Sequence, residues 1–348
     1  MSDTRDKRGG EKVTAMDVAR AAGVSRSAVS RVFTPGASVA PKTAEKVREA
    51  ATELGYRPNV LARSLITGKS RMIGLVVAYL ENYFYPEALE KFSNALQAEG
   101  YHVLIFMASQ TASNVDEVID EILDYQVAGI VVASVALSSD LATRCRALGV
   151  PVVLFNRAQD MPGVATVTSD NFGGGKQVAR LLAAGGHDRL GYIAGWEGAS
   201  TQRDREAGFR AGLAEAGREL FAREVGDFHA ESARAAARRM FAGDGPHPDA
   251  VFVCNDHMAF VVMDVLRHEC GLRVPEDVSV VGFDDVPPAA WPAYALTTVR
   301  QRANRMVERS VATLLEQIET PGAEPVREVI DAPLILRRSA RIPEGWTP

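Results

Sequence analysis

From Met72 onward the chain alternates short apolar segments with helical stretches, and this alternation constrains the fold more than any other feature of the sequence. The apolar segments are Ile73–Ala78, His102–Met107, Gly129–Ala133, Val152–Phe155, Arg189–Ala194, Ala250–Cys254 and Val278–Phe283. Between them lie runs with helical spacing: Glu87–Glu99, Asn114–Tyr125, Gly173–Ala184, Arg203–Ala216, Ser232–Ala242 and Met258–His268. Strands alternating with helices in this way build a parallel sheet covered on both faces. The strands are too many for one minimal half-fold, so the pattern predicts two doubly wound α/β lobes in tandem. A chain of 348 residues, 47% of them hydrophobic, has material for more than one such core.

Residues 13–56 follow a different pattern and predict an all-α head. Thr14-Ala15-Met16-Asp17 has the form of a capping box, with a hydroxyl and an acid three residues later serving the orphan N–H groups of a helix start. A first helix is expected over Ala15–Ala21, a tight turn at Gly23, and Val24 as a plug between helices. Ser25 is a good N-cap for a second helix, Arg26–Phe33. Val29, Val32 and Phe33 share one face of that helix, which turns Arg26, Ser27, Ser30 and Arg31 outward. A short helix, a glycine turn and a second helix exposing Arg and Ser near its N-terminus suit a DNA major groove. A third helix, Pro41–Leu54, starts on proline, stops at Gly55, and closes the core through Val47, Ala51 and Leu54.

Charge separates the same two parts. Residues 1–71 hold 14 Lys/Arg against 7 Asp/Glu, whereas the remainder holds 25 against 37. A basic head on an acidic body points to a polyanion as the partner of the head alone. No apolar run approaches the roughly 18–20 residues that span a bilayer, and Met1–Lys12 is polar with no apolar h-region. The expectation is a disordered tail over residues 1–12, no membrane partner and a cytoplasmic location. Cys145, Cys254 and Cys270 are far apart and form no C-x-x-C pair, so neither a metal nor another cofactor is expected. Enzymatic motifs are missing too. Asn171-Phe172-Gly173-Gly174-Gly175-Lys176-Gln177 superficially resembles a phosphate loop, but Asp170 stands at its first glycine and Gln177 at its hydroxyl position.

The run from Val13 to Val32, VTAMDVARAAGVSRSAVSRV, resembles the signature of the lactose-repressor/galactose-repressor (LacI/GalR) family of bacterial transcription regulators. Leu54-Gly55-Tyr56-Arg57-Pro58-Asn59-Val60-Leu61-Ala62-Arg63-Ser64-Leu65 is similar to the family's hinge. Gly129-Ile130-Val131, the run Val253–Ala259, the run Val278–Asp285 and the run Leu296–Gln301 are similar to its sugar-binding core. The resemblance covers Val13 to about Arg338, with the motifs in order. It implies a helix-turn-helix domain over 13–58, a hinge helix and linker over 59–71, and an effector-binding and dimerisation core over 72–341. That core would be a type I periplasmic-binding-protein-like pair of lobes. Lobe one is placed at about 72–167 and 299–330, lobe two at about 168–298 and 331–341, with crossings near Thr168, Thr298 and Asp331. Residues 342–348 form a tail without a leucine heptad, so a homodimer rather than a tetramer is implied.

The resemblance also implies roles for particular residues. Arg26, Ser27 and Arg31 would read base edges, with phosphate contact as the alternative for both arginines. Thr14, Ser25 and Ser30 would join them at the DNA, capping helices or bonding phosphates. Asn59, Ala62 and Arg63 would belong to a hinge helix that pairs with its mate in the minor groove, where Leu65 wedges between base pairs. The operator would be a pseudo-palindrome. The effector, a carbohydrate or sugar acid, would lie between the lobes against Phe84, Tyr85, Asn156, Arg157, Asp170, Arg203, Asn255, Phe283 and Asp284. Asp256 is read as a helix cap. Asn156 is neutral where some sugar-binding relatives carry an acid, which with Arg157 and Arg203 nearby leaves room for an anionic effector. Tyr83, Trp196 and Trp291 are candidates for pocket walls or for packing. Two other readings remain open: a transport solute-binding protein, which would need a signal sequence and no basic head, and a co-repressor-dependent regulator responding to a nucleobase.

Overall fold

The computed structural model describes residues 13–34, 37–57, 70–108, 112–135, 137–159, 161, 163–243 and 245–346, with 112–114 at the backbone only. The chain divides into two compact units, 1–70 and 71–348. The expected tail over 1–12 and the hinge residues Asn59, Ala62, Arg63 and Leu65 lie outside the described residues.

Among its described residues the head has three helices, α1 (Ala15–Ala22), α2 (Arg26–Val32) and α3 (Pro41–Glu53). Its core is Val18, Ala19, Val29, Val47, Ala50 and Ala51, with Val24, Val32, Phe33 and Tyr56 packed around it. Leu54 does not close this core, because α3 ends one residue earlier than expected and leaves it 38% exposed. Ala50 belongs to the core and Tyr56 packs against it, with the Tyr56 ring 5.9 Å from that of Phe33.

The body contains two sheets of six strands among the described residues. The first has the order β11-β5-β4-β3-β1-β2, from β1 (Met72–Val77), β2 (His102–Met107), β3 (Gly129–Ala133), β4 (Val152–Phe155), β5 (Ala165–Ser169) and β11 (Arg327–Ile330). The second has the order β12-β10-β9-β8-β6-β7, from β6 (Leu190–Ala194), β7 (Leu220–Val225), β8 (Ala250–Val253), β9 (Ser279–Asp284), β10 (Thr297–Arg300) and β12 (Leu334–Ile335). Every pairing is parallel except β12 against β10. The helices are α4 (Phe84–Ala98), α5 (Ala112–Asp124), α6 (Ser139–Ala147), α7 (Asn171–Ala184), α8 (Ser200–Glu215), α9 (Ala230–Phe241), α10 (Asp256–His268) and α11 (Ala303–Glu319). The first five strands of each sheet repeat one doubly wound order, so the two expected lobes are present.

Five strands escaped the periodicity reading: β5, β7, β10, β11 and β12. β5 and β10 are threonine-containing, β7 and β11 carry charged residues on half-buried or exposed edges, and β12 is only two residues long. β10 belongs whole to the second sheet, so the crossing expected near Thr298 falls after Arg300. The other two follow Ser169 and Ile330.

The glycine run at Gly173–Gly175 has a packing role. It lies inside α7, which packs along α8. A Cβ on Gly175 would collide with the backbone of Arg205, and one on Gly208 with the backbone of Phe172. Close approach of two helix backbones requires residues of this size, and it fixes where α8 carries its side chains.

Candidate functional site

In the head, Thr14 caps α1 and exchanges bonds with Asp17: the Thr14 N–H donates to the carboxylate at 3.0 Å and the hydroxyl accepts from the Asp17 N–H. Gly23 takes φ +64° at the turn, the left-handed conformation that favours glycine. The Ser25 hydroxyl accepts from the Ala28 N–H at 3.2 Å and lies 2.9 Å from the Ser27 hydroxyl. Val29 is wholly buried, which anchors α2 by one side. Arg26, Ser27 and Arg31 are exposed on the other, with Ser30 half-buried.

In the body, the C-terminal ends of the strands meet between the lobes, the place where open α/β sheets bind ligands. Backbone strain gathers there. Ser134, Asn156, Phe228 and Asp284 all have positive φ, from 56° to 126°, and sit at or just past the ends of β3, β4, β7 and β9. Such conformations persist in non-glycine residues only where surrounding structure enforces them, typically at binding sites. The lobes touch directly: the Asn82 amide donates to Asp284 at 3.1 Å, Arg157 donates to the Thr201 hydroxyl, and the Ala158 N–H donates to Ser200 at 2.9 Å.

Asp284 is the centre of this contact. It is 3% exposed and also accepts from the Gln301 amide at 2.6 Å, with an Arg205 nitrogen at 3.4 Å. Burial pushes its carboxyl above the ordinary range, and Arg205, Asn82 and Gln301 pull it back. Arg205 donates to Asn171 at 2.8 Å and to the Cys254 carbonyl at 2.7 Å, with its guanidinium 3.7 Å above the Phe283 ring. Asn255 caps α10 by accepting from the Met258 N–H. Asp256 is not the cap it was read as: α10 begins at Asp256, whose buried carboxylate accepts from the Thr298 hydroxyl and the Val286 N–H. Phe84 stacks on Phe155, and Tyr85 meets the Asn156 amide at 3.4 Å.

Four buried polar atoms of this cleft have no partner: Asn156 Oδ1, Arg157 Nη2, Asn255 Nδ2 and Gln301 Oε1. Two are acceptors and two are donors, and hydroxyl groups can serve either kind. A cavity of about 540 Å³ reaches Phe84, Asp284 and Gln301, and a second of about 650 Å³ reaches Arg157, Trp196 and Ser200.

The structure therefore brings together Phe84, Tyr85, Asn156, Arg157, Asn255, Phe283 and Asp284. Asp170 and Arg203 stand apart from the Asp284 network. Asp170 caps α7 by accepting from the Gly173 N–H at 2.8 Å. Arg203 has a side chain 68% exposed, pairs with Asp204, and borders the larger cavity without joining the Asp284 network. The inward arginine of α8 is Arg205, two residues on, because residues two apart on a helix face opposite ways. Arg205 shares its face with buried Phe209 and Leu213, a spacing visible in the sequence. Asn82 and Gln301 were also missed. Tyr83 and Trp291 are about half exposed, while half-buried Trp196 lines the larger cavity.

Among the described residues no helix is long and apolar enough to cross a membrane, and no cluster of three His, Cys, Asp or Glu is placed to hold a metal. Residues 14–59 match the model of bacterial regulatory proteins of the lacI family, and residues 179–340 that of the periplasmic binding protein-like domain. The HTH-type transcriptional regulator CelR of Thermobifida fusca is 34% identical over 331 residues, covering 92% of this chain and 96% of its own. A PurR repressor of Vibrio cholerae is 32% identical over 88% of this chain and 91% of its own. Among solved structures, the Lac repressor dimer bound to operator and the anti-inducer ONPF aligns with a TM-score of 0.85 at 28% identity, covering 94% of this chain and 99% of that one. A CelR–cellobiose complex aligns with a TM-score of 0.71 at 32% identity, over 94% of this chain and all of that one. With both family models matched in order and a relative this similar along nearly its whole length, the chain belongs to the LacI family of bacterial regulatory proteins.

Proposed function

We propose that this protein is a homodimeric transcriptional repressor whose operator affinity is set by a small carbohydrate-like molecule held between the two lobes. The observation that carries this is the cleft itself: four unpartnered buried polar atoms from both lobes, on a chain that also bears a helix-turn-helix head. The relatives support each half, one as a dimer on operator DNA and one as a complex with cellobiose. Arg26, Ser27 and Arg31 meet base edges, Thr14, Ser25 and Ser30 the adjacent backbone, and Asn59, Ala62, Arg63 and Leu65 the minor groove. In the cleft, Asn156, Arg157, Arg205, Asn255, Asp284 and Gln301 share the hydroxyls, Phe84 and Tyr85 form the wall, and Phe283 supports Arg205. Exposed Ile105 and Met107 on the edge strand β2 give the body an apolar surface for the second copy.

Because ligand shifts DNA affinity only through a difference in binding between two lobe arrangements, residues joining the lobes control the response. The test is fluorescence-anisotropy titration of the full chain against an operator obtained by selection from random duplexes. Sugars, sugar acids, sugar phosphates and nucleobases are then added in turn. A ligand that changes operator affinity in wild type, and does so no longer in Asp284→Ala, supports the proposal. An Asp284→Ala protein that responds with the same coupling contradicts it.

A further inference from the structure

Among the described residues two arginines are buried to a similar degree, Arg157 at 4% exposure and Arg205 at 2%, and they are served very differently. Arg205 has acceptors for all three of its nitrogens, Asp284 among them. Arg157 donates from Nε to the Ser134 carbonyl at 3.3 Å and from Nη1 to the Thr201 hydroxyl, both neutral groups. Its Nη2 has no partner, and no carboxylate of the described residues pairs with it. The Phe228 ring lies 5.8 Å from the guanidinium, and the Tyr79 and Tyr85 phenols, held neutral by burial, are the other groups that feel its charge. A buried cation without a counter-charge is unfavourable, and it persists where something else completes it.

The surroundings say what completes it. Arg157 lines the cavity of about 650 Å³ between the lobes, a size within the usual range for small-molecule sites. Trp196 lines the same cavity and offers an aromatic face to a sugar ring. The neighbouring Asn156 carries no charge, so the residue beside Arg157 does not neutralise it. A guanidinium edge with a free N–H matches a carboxylate or phosphate oxygen better than a hydroxyl.

We propose that the small molecule taken by this cleft is an anionic saccharide, and that Arg157 receives its carboxylate or phosphate. The inference rests on the reading of the cleft as the effector site. Anion binding then supplies the missing counter-charge at the junction of the lobes, beside the Thr201 contact that joins them.

The test uses the full chain, with thermal shift and calorimetry at constant ionic strength. Inorganic phosphate and acetate are compared with chloride as minimal probes, and three matched sets follow: glucose with gluconate, glucose with glucose 6-phosphate, and cellobiose with cellobionate. The expected result is that phosphate or acetate at millimolar concentration stabilises wild type more than chloride does. At least one anionic saccharide should bind ten-fold or more tightly than its neutral counterpart. Arg157→Gln erases both differences and Arg157→Lys keeps part of them; the carboxylate and phosphate arms tell the two anions apart. If Arg157→Gln does not fold, the wild-type comparison and Arg157→Lys decide. Anions that stabilise wild type and Arg157→Gln alike, or neutral members that bind as tightly as anionic ones, overturn the inference. A neutral ligand that shifts operator affinity equally in wild type and Arg157→Gln would leave small-molecule control standing and remove the anion. An anion that distinguishes the two proteins yet never alters operator affinity would do the reverse.

Discussion

The head and the body of this chain solve the problem of positioning a side chain in different ways. In the head, the residues that aim α2 all lie between Thr14 and Tyr56, and each acts on its near neighbours through a cap, a turn or one packed face. In the body, the cleft collects Asn82, Asn156, Arg205, Asn255, Asp284 and Gln301 from six separate segments. Local assembly tolerates small errors, because a changed cap weakens one helix. Distant assembly does not, because each buried polar group depends on partners supplied from elsewhere.

The largest expected effect is in the cleft. Arg205→Met removes the cation facing Asp284 and leaves a buried carboxylate without it, which should lower the stability of the body by about 3–5 kcal/mol. Arg203→Met, two residues away and exposed, should change it by less than about 0.5 kcal/mol. Urea denaturation of the two variants measures this. Equal effects would break the assignment of the inward face of α8.

A pair of glycines sharpens the contrast. Gly208→Ala places a Cβ against the Phe172 backbone where α7 and α8 approach, so it should destabilise the body by about 1–3 kcal/mol. Gly23→Ala in the head meets no atom within 4 Å and pays only for the left-handed backbone, about 1 kcal/mol. The first variant should also weaken ligand binding, since α8 carries Arg205. The second should leave it alone.

These differences explain what was legible in the sequence. The three head helices could be read almost to the residue, since Thr14, Gly23, Ser25 and Pro41 mark their ends by local chemistry. The exception, Leu54, is apolar but stands just past the end of α3, where packing rather than spacing decides burial. In the body, the apolar central strands announced the two lobes, whereas the polar or short strands β5, β10 and β12 are defined by neighbours distant in sequence. The family resemblance implies Arg203 for the cleft, whereas the buried spacing of Arg205, Phe209 and Leu213 marks Arg205 as the inward arginine of α8. Asn82 and Gln301 join the site by meeting Asp284, a contact between separate segments that spacing within either one does not reveal.

Smaller effects follow. Thr14→Ala removes the capping box of α1 and should cost the head about 1 kcal/mol, seen as a lower head transition with the body unchanged. In the body, His187 is buried and neither ring nitrogen has a hydrogen-bond partner. Burial, with Arg341 nearby, lowers its pKa below 6.5, so the unfolded chain binds a proton more readily than the folded one. Its contribution is therefore intact above pH 6.5 and lost as pH falls below that value. Thermal melts between pH 7.5 and 5 should show a shallower decline for His187→Gln than for wild type. Parallel declines would mean that other groups dominate.

The central claim is that the cleft of the body governs what the head does on DNA. The most direct measurement is operator titration of the full chain with and without the ligand that screening identifies, in wild type, Arg203→Ala and Arg205→Ala. The account predicts that all three bind operator without ligand, that Arg203→Ala responds to ligand as wild type does, and that Arg205→Ala no longer responds. An Arg205→Ala protein that keeps the wild-type response, or an Arg203→Ala protein that loses it, would contradict the account.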